Sequence, residues 1–534
     1  MPRQLLTNAR IYTLNPSQPS ASALFIEGDR IWAVGDTSDF ASGMVNKAEI
    51  LDLRGQVIFP GFTDAHIHLE HYALIQAKID CSTSTKDECL LRVKARTRET
   101  PPGVWIQGHG WNQNNWVEGF GTATDLDAVA PHHPVYLTAK SLHAAWVNTA
   151  ALQIAGIDGT TPDPKDGQIQ RGVTGNPTGI LFEGAMKLVS EFIPEPDEAQ
   201  LDQAILSAQT KLWQLGITGV HDYDRQLCFQ TLLRLHAQSK LCLRVVKNIH
   251  LEYLPSAIEA RLLSGLGDNW LRLGGVKMFA DGALGPHTAA MFQAYSDEAT
   301  NCGILLLNAE ELFEYGRLAS DNGLPMAIHA IGDRANHEVL NALEQLRAYE
   351  SAHHLPALRH RIEHVQVIHP EDVSRLAELS VIASMQPIHA TSDMPMVDRL
   401  CGERGKRAYA WRALIDAGTT LAFGSDAPVE DPNPFLGLYA AVTRRSADGS
   451  PAPEGWYPEQ RLSVHQALIA YTQGPAYAAG METTLGQLAP GYLADLIVLE
   501  KDPYTCDLDD LKDIHPVATM IGGEWVWGKK PSGS

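Results

Sequence analysis

Apolar and polar positions follow two patterns along the chain. Residues 1–60 carry short alternating runs, "QLLTNARIYTLN", "ASALFIEGDRIWAVGD" and "AEILDLRGQVIFPG", punctuated by Gly-Asp and Arg-Gly pairs. Alternation broken by such turn residues predicts strands. The pattern returns near the end in "ADLIVLEKD" and "VATMIGGEWVWGK". Neither terminal segment is long enough for a comfortable core of its own. The two are therefore expected to pair into one composite β-sandwich from residues 1–60 and 475–534.

The middle of the chain alternates instead between strand-like runs and amphipathic segments. Eight runs are short, apolar and β-branched: "VIFPGFTDAHIH", "ITGVHDY", "LRVVKNIH", "LRLGGVKMFAD", "LPMAIHAIGD", "LRHRIEHVQV", "SVIASMQP" and "TTLAFGSDAP". Helical patterns such as "RANHEVLNALEQLRAYE" separate most of them. Eight strand–helix units predict an α/β fold, a (β/α)8 TIM barrel over residues 61–72 and 200–474. A doubly wound open sheet is the structural alternative. It would show fewer units and often a glycine-rich phosphate turn, which the sequence lacks. Roughly 150 residues separate His68 from the second run at Ile217, far more than one helix needs. Residues 73–199 are thus expected to form an α+β insertion after barrel strand 1. Insertions there land on the catalytic face, as a lid or substrate wall.

Composition narrows the function classes. The 534 residues carry a formal net charge of −21, which argues against a nucleic-acid partner. The seven cysteines are dispersed, with no C-x-x-C pair, and fit free thiols in a reducing compartment. The first residues lack the apolar core of a signal peptide, and no run of about 18 apolar residues occurs. A cytoplasmic protein with no membrane partner is expected, with a small-molecule substrate. A homodimer is the expected assembly on base rates.

The candidate chemistry begins at "FPGFTDAHIHLE", residues 59–70. In a strand, Asp64, His66 and His68 share one face. Two imidazoles on one face can hold a metal ion, although a lone His-x-His pair is more often two ordinary histidines. The other strand ends decide. The fourth run carries Lys277, the fifth His329, the sixth His364 and the eighth Asp426. Barrel active sites sit at the C-terminal ends of the strands, and six ligand-type residues fall there.

The order His-x-His, Lys, His, His, Asp on eight strands resembles the amidohydrolase superfamily. The segments "GHGWNQNNW", "GVKMFADGALGPHTAAM", "IHAIGDRAN", "RIEHVQ", "FGSDAP" and "LGQLAPGYLADLIVLEKDP" resemble its YtcJ-like branch, which includes N-substituted formamide deformylases. The resemblance covers nearly the whole chain. It implies a metal-dependent hydrolase of a non-peptide C–N amide bond, in an N-acyl or N-formyl amine. His66, His68 and Asp426 would hold the more buried of two divalent ions, zinc first among candidates, and His329 and His364 the more exposed one. A carboxylated Lys277 and a hydroxide would bridge them, with that hydroxide as nucleophile and Asp426 as the catalytic proton shuttle. Lys277 is flanked by Val276, Met278 and Phe279. Burial there would lower its pKa and free the amine to react with CO₂. Asp64 and Glu363 are either carboxylates that orient imidazoles or plain structural acids. Trp111, Trp116, His143 and Glu183 are substrate-binding candidates in the insertion, against core packing for the indoles. After "DGALG" the branch has Ser-Arg-Thr where this chain has Pro286-His287-Thr288, so His287 is a candidate for altered substrate contacts. An esterase, cyclic amidase, phosphoesterase or deaminase on the same scaffold is the alternative. A non-catalytic relative would have lost ligands, and all six are present.

Overall fold

Eight parallel strands form one sheet: β1 (Phe62–Ile67), β2 (Ile217–Asp222), β3 (Arg244–His250), β4 (Leu271–Phe279), β5 (Met326–Ala330), β6 (Arg361–His364), β7 (Ile382–Met385) and β8 (Leu421–Phe423). Each pairs with its neighbour in sequence from β1 to β8. A parallel bridge between Ile67 and Ala427 draws the two edges together, giving a near-closed TIM-like barrel. The structure is a computed structural model that describes residues 2–40, 48–76, 78–113, 116–139, 144–165 and 167–530. It divides into two compact units, Met1–Tyr72 with Ile205–Ser534, and Ala73–Ala204.

The strands are the apolar runs of the sequence, and burial explains their composition. β5 and β7 are almost wholly buried, as parallel strands covered on both faces must be. Helices such as Ala309–Asp321 and Asp333–Ala352 pack outside them. Side-chain caps start several of these helices. Asn308 accepts from Glu311 N in a capping box, and Ser463 caps Val464–Ala478 in the same way.

Both termini build the second layer of the larger unit. One sheet runs Arg30–Gly35, Ala23–Glu27, Arg3–Thr7, Glu49–Asp52. The other runs Glu524–Gly528, Pro516–Ile521, Leu496–Leu499, Val57–Pro60, Arg10–Tyr12, Ser20–Ala21. Leu6, Leu24 and Ile26 of the first pack on Ile58, Leu496, Val498 and Met520 of the second. The apolar run "VIFPGFTDAHIH" therefore contains two strands of two different sheets. They part at Gly61, where an added Cβ would lie 2.3 Å from the Thr218 side chain. Arg244 of β3 forms a buried ion pair with Asp495, whose carbonyl accepts from Gly61 N at 3.0 Å, and this fastens barrel to sandwich.

The smaller unit carries its own mixed six-stranded sheet, ordered Gly167–Arg171, Pro177–Glu183, Ala144–Val147, Val135–Ala139, Ile106–Trp111, Ile79–Asp80. Trp111, Trp116 and Trp146 fill its core with Cys81, Cys89 and Leu137. Among the described residues no helix is long and apolar enough to cross a membrane.

Candidate metal centre

His66 and His68 emerge from the C-terminal end of β1 on one face, as alternation requires. Their Nε2 atoms lie 3.5 and 3.3 Å from Oδ1 of Asp426, which follows β8. The close approach of β8 to β1 depends on Gly424. A Cβ there would sit 2.4 Å from His66 N. Asp64 joins the same two strands by accepting from the backbone N–H groups of His66 and Ser425, both at 3.0 Å. It braces the backbone and orients no imidazole.

Each imidazole is held from behind. His66 Nδ1 lies 2.6 Å from Glu363 Oε2. Glu363 also accepts from the Tyr223 hydroxyl at 2.8 Å and from Arg361 at 3.1 Å. Although burial opposes it, Arg361 and His66 keep the Glu363 carboxyl well below its usual range. An ionised Glu363 only accepts, so His66 donates from Nδ1. Burial, with the nearby Lys277 charge, pushes the His66 ring down to about 4. Its neutral Nε2 therefore presents a lone pair, and that atom is buried without a hydrogen-bond partner. His68 Nδ1 contacts Asp224 Oδ1 at 3.1 Å. Burial opposes its protonation, but Asp224 and Asp426 raise the ring to about 9.

His329 and His364 stand at the ends of β5 and β6, with ring centroids 4.6 Å apart. His364 is also 5.0 Å from the His66 ring. His364 Nδ1 is 2.8 Å from Gln386 Oε1, whereas His329 engages the Gly282 carbonyl through Nε2 at 2.9 Å. Burial lowers both rings, His329 to about 3 and His364 well below its ordinary value. His364 and Asp426 both take positive φ, 77° and 60°. Non-glycine residues held there cost about 1–3 kcal/mol each and cluster at functional sites.

Lys277 on β4 is 2% exposed. Its Nζ lies 4.8 Å from the Tyr223 ring, which itself stacks on His66 at 4.0 Å, and 4.9 Å from the Phe279 ring. Burial lowers the amine to about 8. Asp281, the salt-bridge partner an ordinary lysine would seek, instead accepts three backbone N–H groups, from Ala290, Ile331 and Gly332.

Asp426 is the hub. Burial opposes its ionisation, but His389, His68 and the other imidazoles hold it well below the usual carboxylate range. His389 is the residue that sequence reasoning missed. It lies in the first turn of helix Pro387–Cys401, with Nε2 3.2 Å from Asp426 Oδ2. Asp224 and Gln386 were missed as well. The only signal for Asp224 is its place two residues beyond the β2 end. His389 reads in sequence as one polar position of an ordinary helix start.

These side chains suit a metal. The neutral imidazoles of His66, His329 and His364, the bare lone pair on His66 and the anionic Asp426 form an imidazole–carboxylate donor set, which His68 joins on losing its proton. Two trios, His66–His68–Asp426 and His364–His389–Asp426, each bring one donor atom per residue within 4.8 Å of the others.

Of the other predicted site residues, Trp111, Trp116 and Glu183 belong to the smaller unit. Trp111 is fully buried in the core of the smaller unit and donates its indole N–H to the Leu137 carbonyl at 2.8 Å. Trp116, in the same core, donates to the Thr83 carbonyl at 3.3 Å. Glu183 is exposed at the end of its strand, with φ 50°. His143 lies outside the described residues. His287, with φ 56°, contacts Asp297 at 3.1 Å and packs edge-on to Tyr295, neither of them a member of the imidazole cluster.

The amidohydrolase family model matches residues 49–527. The chain belongs to the amidohydrolase family. Among amidohydrolase relatives, YtcJ of Bacillus subtilis is 34% identical over 97% of this chain and 98% of its own length. The N-substituted formamide deformylase of Arthrobacter pascens is 29% identical, with 97% of each chain covered. An uncharacterized metal-dependent hydrolase from Pyrococcus furiosus superposes with TM-score 0.76 at 30% identity, covering 94% of this chain and all of that one.

Proposed function

We propose that this amidohydrolase is a metal-dependent hydrolase that cleaves the C–N amide bond of an N-acyl or N-formyl amine. The observation that carries the reading is the buried, unpartnered Nε2 of His66, aimed with His68 at Asp426. Burying such a lone pair without a partner costs about 1–3 kcal/mol, which a bound cation would recover. His66, His68 and Asp426 would hold one divalent ion, and His329 and His364 a second, with zinc the best match to the donors. Lys277 would add a carbamate to the donors, since its lowered pKa leaves more neutral amine for reaction with CO₂ than an ordinary lysine has. Bound divalent ions supply Lewis acidity for a carbonyl and lower the pKa of water.

The side chains do the rest. Asp426 stays anionic at neutral pH and so can take a proton from the attacking water and return it to the leaving amine. Glu363 and Gln386 each fix the orientation of one imidazole, and Asp224 holds those of His68 and His71. Phe279 is 39% exposed with its ring 5.2 Å from that of His329, which offers an apolar surface to the substrate's organic group. The formamide deformylase among the relatives supports a formyl or acyl amine over an ester. The test is hydrolysis of a panel of N-formyl and N-acetyl amines, followed by amine release. Release from at least one amide, abolished by chelator and restored by zinc, supports the reading. Cleavage of esters alone, or activity that chelator leaves intact, overturns it.

A further inference from the structure

His389 stands outside the six residues implied by the resemblance, yet its geometry repeats theirs. It is 6% exposed. Its Nε2 faces Asp426 Oδ2 at 3.2 Å, and its Nδ1 faces Glu430 Oε1 at 3.5 Å.

Three observations converge. First, the two oxygens of Asp426 serve different partners. Oδ1 faces His66 and His68 at 3.5 and 3.3 Å, whereas Oδ2 faces His389. Two atoms each about 2.1 Å from one tetrahedral ion stand about 3.4 Å apart. All three separations lie close to that value. Second, the imidazoles share one plan. His66, His68 and His389 turn Nε2 toward Asp426 and Nδ1 toward a carboxylate, Glu363, Asp224 and Glu430 respectively. His364 uses the Gln386 carbonyl in the same way. A carboxylate or carbonyl on the outer nitrogen is how proteins fix the tautomer of a metal-binding histidine. Third, a single helical turn holds both Gln386, which orients His364, and His389, and the donor atoms of His364, His389 and Asp426 form one buried trio.

We propose that His389 is a ligand of the second ion, beside His364 and on Oδ2 of Asp426, so that Asp426 spans both ion positions. This rests on the metal-centre reading under Proposed function. The rival role for the same geometry is an imidazole hydrogen-bonded to Asp426 that never touches metal.

The experiment compares wild type, His389→Ala and His389→Gln, purified without chelator and equilibrated with zinc. Zinc per chain is measured by plasma mass spectrometry. Anomalous difference maps at the zinc edge locate the ions in wild-type crystals. The expected result is two ions in wild type, one of them within bonding reach of His389 Nε2. Both variants should keep the ion at His66 and His68 and bind the second at least about tenfold more weakly by chelator competition. Two fully occupied ions in both variants, or a wild-type map with no zinc at His389, would overturn the assignment while leaving the hydrolase reading intact. A wild type that binds no zinc would overturn both. The wild-type map decides the question even if a variant fails to fold.

Discussion

Two of the buried aromatic clusters in this protein differ in what their nitrogens do. In the smaller unit, Trp111, Trp116 and Trp146 donate to the carbonyls of Leu137, Thr83 and Thr122. Every indole N–H of that cluster is satisfied, so the cluster has no polar capacity left for a ligand. At the barrel mouth, the imidazoles satisfy one nitrogen each from behind, and His66 leaves the other buried and bare. Burial alone does not distinguish packing from binding. A bare, buried lone pair that faces a carboxylate beside a second imidazole points to a ligand, whereas indoles paired with carbonyls do not.

That contrast can be broken in several ways. The largest effect is expected at Asp426. Asp426→Asn removes the proton acceptor while keeping the shape, and amide hydrolysis should fall about 10²- to 10⁴-fold in kcat. Near-normal turnover would show that the hub is structural. Next, Trp146→Ala should cost about 3–5 kcal/mol of stability by urea unfolding, with metal content per chain unchanged. Loss of metal in that variant would mean that the indole cluster is not simply packing. A smaller effect is expected behind His66. Glu363→Gln should weaken zinc binding about 10- to 100-fold in a chelator titration while the folded state persists. Unchanged affinity would deny Glu363 its orienting role. The mildest test is pH. His68 carries its proton up to about pH 9, held by Asp224 and Asp426, and a cation must displace it. Zinc affinity should therefore tighten as pH rises, at least about tenfold from pH 7 to pH 8. A flat profile would place His68 outside the ligand set.

Much of this was legible in the chain itself. The eight apolar runs became the eight barrel strands because a parallel strand buried on both faces must be continuously apolar. The spacing of His66 and His68 placed both on one face because strand periodicity is two. What the sequence did not reveal depends on contacts between distant elements. His389 matters only because β7 and β8 are neighbours, which brings a helix start against Asp426. Asp224 and Glu363 orient imidazoles from β1 across sequence separations of 156 and 297 residues. The two strands hidden in "VIFPGFTDAHIH" could not be separated by hydropathy, since both are buried. They part at Gly61, which packs too closely on the Thr218 side chain for a Cβ.

Everything proposed for the barrel mouth depends on its holding metal. The most direct test is metal content per chain by plasma mass spectrometry, on wild type and on Lys277→Ala, both purified without chelator. About two equivalents of divalent metal are expected in wild type and fewer in the variant. A wild-type chain carrying none, or a variant that keeps both, would contradict this expectation.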